Sequence, residues 1–371
     1  MPRLYAVDAL DPELRPLARA LPPPDYSNLA AAREGVRQMA RFGPPVDVSQ
    51  LAVTDSTVPG FDGAPDVPVR VYAPEPETAP EAVVDGRRPA LVFMHWGGFV
   101  LGDLNTEHAR CARLARAVGA VVVSVDYRLA PEHPYPAGLD DSHAALAWVH
   151  SEADALGVDR ERIAVGGTSA GAGLAAALAL RARDARRADP AAPAVAFQYL
   201  GYPVLDDRCQ TGSARAYTDT PNWSAEANRR MWDLYLAPED RDAPPATAAP
   251  ARARDLDGLP AAYLWTAEFD PLRDEGADYA QVLAEAGVEV EHHAFARAVH
   301  GFDAVPGSPL AARAQAEQEA ALRSALWPER PEPAAWGGPT DGAPPRASAD
   351  ATEEVPDWTA TASRDEAPNH P

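Results

Sequence analysis

The chain has 371 residues, of which 46% are hydrophobic, enough for one large α/β domain with insertions or for two domains. Its formal net charge of −22 argues against nucleic acid and against an anionic membrane surface as partners. No secretory signal and no apolar run long enough to span a membrane is visible, and the two cysteines, Cys111 and Cys209, make no disulfide framework, so we expect a cytoplasmic protein.

The amino-terminal segment, residues 1–45, begins irregularly and continues into a helical pattern over 29–42. We interpret it either as part of a cap over a binding pocket or as a plain packing helix. Residues 67–72 then alternate between apolar and polar side chains, which is typical of a strand. The proline at position 68 favours an edge position for this strand.

The central part of the chain alternates short apolar runs with longer helical patterns. The apolar runs predict strands at 91–94, 121–125, 163–165 and 194–200. The patterns between and after them predict helices at about 105–118, 138–156 and 170–183. This alternation predicts an α/β fold with a mostly parallel central sheet and helices on both faces.

The segment 206–238 interrupts this rhythm and carries a predicted helix at 224–236, so we interpret it as an inserted cap. A strand, a helix, a second strand and a last helix follow, predicted at 262–269, 274–286, 288–295 and 309–327. We assign residues 46–327 to one domain. From residue 328 to 371 the composition is acidic and proline-rich without periodicity, which predicts a disordered tail.

Residues 167–171, Gly-Thr-Ser-Ala-Gly, fit the pattern G-x-S-x-G. A predicted buried strand precedes them and a helix follows, the context in which this turn lifts a serine out of a sheet. We therefore expect a strained backbone at Ser169 and take this residue as a candidate nucleophile. The alternative is a glycine-rich turn that closes an ordinary strand–helix unit, and the rest of the chain disfavours it.

A serine hydroxyl needs a base to take its proton and a third group to orient that base. In hydrolases built on this turn the acid and then the histidine follow the serine in the chain. His300 satisfies this order and lies in a small-residue loop just past the last predicted strand. The other late histidines, His292, His293 and His370, lie within a predicted strand or in the tail.

Asp270 is the candidate for the orienting acid, because it directly follows the strand predicted at 262–269. Asp274 and Glu275 are the alternatives, although their place at the start of a predicted helix is better explained by capping and by the helix dipole. An oxyanion would also need fixed donors. We expect these from the backbone N–H groups of Ala170, Gly97 and Gly98, the glycines following an early strand.

Together these residues resemble the α/β-hydrolase superfamily and, within it, the hormone-sensitive-lipase-like (family IV) esterases. Residues 95–99, His-Trp-Gly-Gly-Phe, are similar to the family's His-Gly-Gly-Gly motif, and Thr168 is similar to the GTSAG branch. Residues 127–136, 167–171, 270–275 and 300–302 resemble the family's other blocks and follow the family's order. The resemblance covers about residues 45–327.

The resemblance implies that Ser169, Asp270 and His300 form a catalytic triad. It also implies that the amides already named form an oxyanion hole, and that the amino-terminal segment and the insert cap an acyl pocket. Trp96 departs from the family by replacing the first glycine of its motif. Its indole either narrows the substrate pocket, to which we also assign Phe99, or packs under the loop.

The sequence therefore predicts a serine carboxylic ester hydrolase that acts on short-chain acyl esters through an acyl-enzyme, without a cofactor or a metal. A small-molecule ester is the expected partner, and a homodimer through the last helix or an edge strand stays open. An amidase or deacetylase with the same triad is one alternative. A non-catalytic small-molecule receptor on the same fold is the other.

Overall fold

The computed structural model of the chain describes residues 7–20, 23–42, 45–75, 86–237 and 241–327. The tail predicted to be disordered, residues 328–371, lies outside these described residues. Within them, no helix has the length and apolarity needed to cross a membrane.

Eight strands form a single sheet. In chain order they are β1 (Leu51–Val58), β2 (Val67–Pro74), β3 (Arg88–Met94), β4 (Val121–Val125), β5 (Val158–Thr168), β6 (Phe197–Gly201), β7 (Ala262–Phe269) and β8 (Val290–Val299). Their order across the sheet is β1-β2-β4-β3-β5-β6-β7-β8. β2 pairs antiparallel with β1 and with β4, and every other pair of neighbours is parallel.

The described residues also form ten α-helices. They are α1 (Arg15–Ala20), α2 (Leu29–Phe42), α3 (His108–Val118), α4 (Ala137–Ser151), α5 (Ala153–Leu156), α6 (Ala170–Ala188), α7 (Gly212–Ala216), α8 (Ala225–Tyr235), α9 (Arg273–Glu285) and α10 (Pro309–Leu326). The predicted α/β architecture, a mostly parallel sheet between helices, is confirmed.

Two clusters of buried apolar side chains cover the two faces of the sheet. One cluster contains Leu139 of α4, Leu174 of α6 and Leu283 of α9. The other contains Leu114 of α3 and Leu322 of α10. β3 and β4 are buried along their whole length, as expected for strands that helices cover on both faces. Because the strands from β4 to β8 are parallel, their carboxyl ends meet at one edge of the sheet.

The prediction that residues 67–72 form an edge strand is wrong, because β1 lies outside β2. Only the end residues of β1, Leu51 and Val58, are buried, so the strand carries no apolar alternation that would predict it. Pro68 is tolerated inside the sheet because the pairing of β2 with β4 begins one residue later, at Val69.

The segment interpreted as an inserted cap contains α7 and α8. Its predicted helix is confirmed in α8, where the Ser224 hydroxyl caps the helix by accepting from the Ala227 N–H at 3.2 Å. The amino-terminal helix α2 is also confirmed, and its bounds match the predicted 29–42. No residue of α2 is fully buried, so this helix lies on the surface of the domain.

Candidate active site

Ser169 lies in the turn between β5 and α6. Its backbone angles, φ 57° and ψ −121°, fall in a region that residues other than glycine rarely adopt. Its N–H donates to the Gly201 carbonyl at 2.8 Å, which fixes the turn against the end of β6. The backbone strain that the motif predicts is therefore present, and hydrogen bonds to the sheet hold it.

The two glycines of the motif let this turn pack directly against the end of β3. A β-carbon at Gly167 would lie 2.5 Å from the carbonyl oxygen of Met94, and one at Gly171 would lie 2.1 Å from the same oxygen. Real β-carbons essentially never approach a backbone atom so closely. Glycine is thus required at both positions because backbone meets backbone there.

The side chains of Ser169, His300 and Asp270 form one hydrogen-bonded row. His300 Nε2 lies 3.0 Å from Ser169 Oγ, and His300 Nδ1 lies 2.7 Å from Asp270 Oδ2. With its proton on Nδ1, the imidazole donates to the carboxylate and leaves Nε2 able to accept the serine proton. The structure thus brings together the three residues that the sequence singles out as nucleophile, base and acid.

Asp270 and His300 directly follow the neighbouring parallel strands β7 and β8, so both lie at the carboxyl edge of the sheet. Asp270 is fully buried, and its Oδ1 accepts from the Leu272 N–H at 2.9 Å. The carbonyl of His300 accepts from the side-chain amide of Asn222 at 3.0 Å. These bonds orient the carboxylate and the histidine loop separately.

Asp274 and Glu275 lie in the first turn of α9, but neither caps that helix. Asp274 Oδ2 accepts from the N–H of Ser213 in α7 at 2.6 Å. Glu275 Oε1 accepts from the N–H groups of Leu205 and Asp206, at 2.7 and 3.3 Å, and burial raises the pKa of Glu275 well above its ordinary value. The capping part of their interpretation is wrong, since their carboxylates bind α7 and the chain before it. Their place in the first turn of α9, where the helix dipole acts, is as expected.

The loop predicted to carry the oxyanion donors, here called the oxyanion loop, comprises residues 95–102 and follows β3. Gly97 and Gly98 have positive φ angles of 132° and 60°, and a β-carbon at Gly97 would lie 2.1 Å from the Leu101 carbonyl oxygen. In the part of the chain that is described, the N–H groups of Gly97, Gly98 and Ala170 donate to no acceptor. They are therefore available to a ligand.

Phe99 and Trp96, both assigned to the substrate pocket from the sequence, have different surroundings. Phe99 is 3% exposed and stacks on Tyr235 of α8, with ring centroids 3.8 Å apart. It also lies 6.1 Å from the ring of Trp232, so it joins the oxyanion loop to α8. Trp96 is half-buried, and its carbonyl accepts from His95 Nδ1 at 2.7 Å.

His95 is buried under the oxyanion loop and packs against it. Its ring is fully buried and stacks on Tyr127 with centroids 4.2 Å apart, and the Tyr127 hydroxyl donates to the His95 carbonyl at 2.9 Å. A β-carbon at Gly102 would lie 2.3 Å from the imidazole, so the loop closes tightly over it. Burial lowers the pKa of His95 to about 4 and keeps the ring neutral at pH 7.

A network of buried polar side chains lies beneath the site. The Thr168 hydroxyl donates to Glu107 at 2.5 Å, and Arg110 donates to Glu107 at 3.0 Å. Arg110 also donates to Asp303 at 2.9 Å, and the Tyr202 hydroxyl donates to Asp303 at 2.8 Å. The network therefore connects the residue before Ser169 with the turn that follows His300.

Arg110 is the shared cation of this network and pairs with both Glu107 and Asp303. Burial acts to raise the pKa of Asp303, but the charge of Arg110 and hydrogen bonds from Arg110, Gln318 and Tyr202 outweigh it and hold the pKa below its ordinary value. Gln318 of α10 contributes by donating to Asp303 at 2.8 Å. A buried charge pair of this kind fixes position, whereas its net contribution to stability is small.

Two aromatic side chains that the sequence does not single out flank the imidazole of His300. The ring of Trp223 lies 5.6 Å from it at an angle of 27°, and the ring of Tyr202 lies 4.6 Å from it at 59°. Trp223 lies in the irregular segment before α8, where no periodicity or motif marks it. For Tyr202, the sequence offers one signal: it stands between a buried strand and Pro203.

Comparison with known proteins adds independent findings. A family model described as an alpha/beta hydrolase fold matches residues 91–304. The chain is 45% identical to the carboxylesterase NlhH of Mycobacterium tuberculosis over 75% of this chain and 84% of that protein. It is 34% identical to an ethyl acetate hydrolase of Pseudomonas putida over 67% of this chain and 75% of that protein.

Solved structures are similar over nearly their whole length. A bacterial heroin esterase superimposes with a TM-score of 0.79 at 38% identity, covering 87% of this chain and 99% of that chain. The esterase LipW from Mycobacterium marinum superimposes with a TM-score of 0.77 at 43% identity, covering 88% of this chain and 99% of that chain.

The close packing of the serine turn gives a first prediction. We expect Gly171→Ala to lower the free energy of unfolding by about 3 kcal/mol or more, because the new β-carbon meets the backbone oxygen of Met94. Gly35→Ala is the matched control, because a β-carbon there meets nothing within 4 Å, and we expect it to stabilise α2 by about 0.5–1 kcal/mol. Urea unfolding measures both, and equal stability of Gly171→Ala and the wild type would contradict the packing argument.

The buried imidazole of His95 gives a second prediction. Its pKa is about 4 in the folded protein against 6.5 when exposed, so its contribution to stability is complete above pH 6.5 and is lost as the pH falls towards 4. The loss amounts to about 3 kcal/mol in the free energy of unfolding.

Urea unfolding at a series of pH values measures this loss. We expect His95→Asn to flatten the curve between pH 6.5 and 4, whereas His133→Asn, at an exposed histidine in the loop before α4, keeps the wild-type slope. An unchanged slope in His95→Asn would show that other groups cause the loss.

Proposed function

Because the chain belongs to the α/β-hydrolase fold family, in its hormone-sensitive-lipase-like branch, and is a carboxylic ester hydrolase, we propose that Ser169 is its nucleophile. His300 is the general base in this proposal, and Asp270 orients the imidazole. The observation that carries the assignment is the unbroken row of hydrogen bonds, 3.0 Å from Ser169 to His300 and 2.7 Å from His300 to Asp270.

In the acylation step, Ser169 Oγ attacks the ester carbonyl carbon while its proton moves to His300 Nε2. The negative charge that forms on the carbonyl oxygen is stabilised by the amides of Gly97, Gly98 and Ala170, which we propose as the oxyanion hole. Asp270 stabilises the imidazolium. The intermediate collapses when His300 gives its proton to the leaving alcohol, and the acyl group stays on Ser169.

Deacylation repeats these roles with water as the nucleophile. His300 takes a proton from water, the resulting hydroxide attacks the acyl carbonyl, and the same amides stabilise the second oxyanion. Ser169 leaves with the proton held by His300, and the carboxylic acid is released. The backbone of Ser169, held at a positive φ, keeps Oγ at the same place in both steps.

We propose short-chain acyl esters as substrates. Support comes from the space around the oxyanion loop, where Met231 and Trp223 approach within 3.1 Å of the position that a β-carbon of Gly98 would take. Both side chains are buried and belong to the segment interpreted as a cap. The similarity to a protein named ethyl acetate hydrolase points to the same class of substrate.

The relatives favour ester hydrolysis over the two alternatives, an amidase or deacetylase and a non-catalytic receptor. A cytoplasmic location is part of the proposal. It is supported by the two cysteines, Cys111 and Cys209, which are both free and buried.

Labelling with a fluorophosphonate tests the mechanism. We expect the reagent to modify Ser169, and we expect Ser169→Ala to lose both the label and at least about 10⁴-fold in kcat on p-nitrophenyl acetate. Ser142→Ala removes another buried hydroxyl, one that donates to the Gly138 carbonyl in α4, and serves as the control with wild-type labelling and activity. Hydrolysis by Ser169→Ala near the wild-type rate would refute the assignment.

A series of p-nitrophenyl esters tests the chain-length proposal. We expect kcat/KM to be highest for the acetate or butanoate and at least about tenfold lower for the dodecanoate, because a longer chain meets Trp223 and Met231. Met231→Ala opens space next to Gly98 and shifts the preference towards the octanoate. Met39→Ala, at a methionine that is 57% exposed on α2, leaves it unchanged. A maximum at dodecanoate in the wild type would overturn the proposal.

A further inference from the structure

Tyr26 lies in the amino-terminal segment just before α2 and has a buried hydroxyl without a partner. The residue is 5% exposed, and among the described residues its Oη has no hydrogen-bond partner. Leaving a buried hydroxyl unpaired costs about 1–3 kcal/mol, so such a group in a native structure needs an explanation. A ligand that pairs with it would remove this cost.

The hydroxyl of Tyr26 lies against the oxyanion loop. A β-carbon added at Gly98 would be 2.7 Å from Tyr26 Oη and 3.1 Å from the ring of Trp223. The ring of Tyr26 meets Trp223 edge-on, with centroids 6.3 Å apart, and Trp223 in turn stacks on His300. The phenol therefore reaches the space between one candidate oxyanion amide and the imidazole.

We propose that Tyr26 Oη donates a hydrogen bond to an oxygen of the scissile ester, so that the amino-terminal segment supplies a catalytic group in addition to the sheet. The inference rests on the proposed function, because it requires the ester to react at Ser169. The acceptor is either the carbonyl oxygen, as it becomes negative, or the oxygen of the leaving alcohol. A neutral phenol suits both, and burial raises the pKa of Tyr26 above its ordinary value, so it keeps its proton.

Arg33 fastens the segment that carries Tyr26 to the oxyanion loop. Its guanidinium donates to the carbonyl of Val100 at 2.8 Å and to the carbonyl of Ala130 at 2.9 Å. It also makes a two-point ion pair with Glu132, at 2.8 and 2.7 Å. Because Val100 belongs to the same loop as Gly98, these bonds set the distance between the phenol and the candidate amides.

Tyr26→Phe removes the hydroxyl alone and tests the proposal. We expect kcat/KM for ethyl acetate, whose leaving alkoxide also needs a donor, to fall about 10-fold to 100-fold, as for the loss of one donor to a developing charge. The melting temperature stays the same or rises, since an unpaired buried hydroxyl is removed. A tyrosine with only a structural role would instead lower the melting temperature and leave the turnover of the folded enzyme intact.

Tyr279→Phe is the matched control. Tyr279 of α9 is 1% exposed, and its hydroxyl also lacks a partner among the described residues. Tyr279→Phe removes a hydroxyl from another part of the core, so we expect wild-type kcat/KM. If Tyr26→Phe stays within about twofold of this control, the proposal is wrong.

A trifluoromethyl ketone inhibitor separates the two acceptors, because its adduct with Ser169 carries an oxyanion but no leaving alcohol. Weaker inhibition of Tyr26→Phe, by about the factor lost in kcat/KM, assigns the bond to the carbonyl oxygen. Unchanged inhibition together with the loss in kcat/KM assigns it to the leaving-group oxygen. Fluorophosphonate labelling of the wild type and of Tyr26→Phe keeps the two proposals apart. No labelling of Ser169 in the wild type would refute the triad, whereas labelling of both proteins with unchanged kcat/KM in Tyr26→Phe would refute the role of Tyr26 alone.

Discussion

The whole site depends on one contact between backbones, at the carbonyl oxygen of Met94. Gly167 and Gly171 both pack against this oxygen, with no room for a side chain at either position. The contact joins the end of β3, which continues into the oxyanion loop, to the turn that carries Ser169. The candidate nucleophile and the candidate amide donors are therefore parts of a single rigid unit, and neither can move without the other.

The histidine and the acid reach this unit from the other half of the sheet. Asp270 and His300 follow β7 and β8, and the buried network around Arg110 and Asp303 connects their side of the molecule with the residue before Ser169. Removing one partner of such a network leaves a buried charge, at a cost of about 3–5 kcal/mol. The network consequently fixes distances between elements that are far apart in the chain.

The sequence predicts those parts of the structure that have a local signature. The strand β7 and the helix α2 have the predicted bounds, because the pattern of apolar residues is complete within each segment. The candidate nucleophile follows from a motif, and the candidate acid and base follow from their positions directly after strands. β1 was missed because residues 54–57 in its middle are polar and exposed. Tyr26 and Trp223 lie in irregular segments, and only the folded chain brings them beside Gly98 and His300.

The site is held by two kinds of contact that differ in their tolerance to substitution. On the side of the sheet, contacts between backbones exclude every residue except glycine at Gly167 and Gly171. On the opposite side, the wall consists of side chains from α8 and the segment before it, such as Met231 and Trp223, which larger or smaller side chains can replace. Divergence among descendants of this enzyme should therefore concentrate in that wall, and a mutagenesis library aimed at new esters should randomise it first.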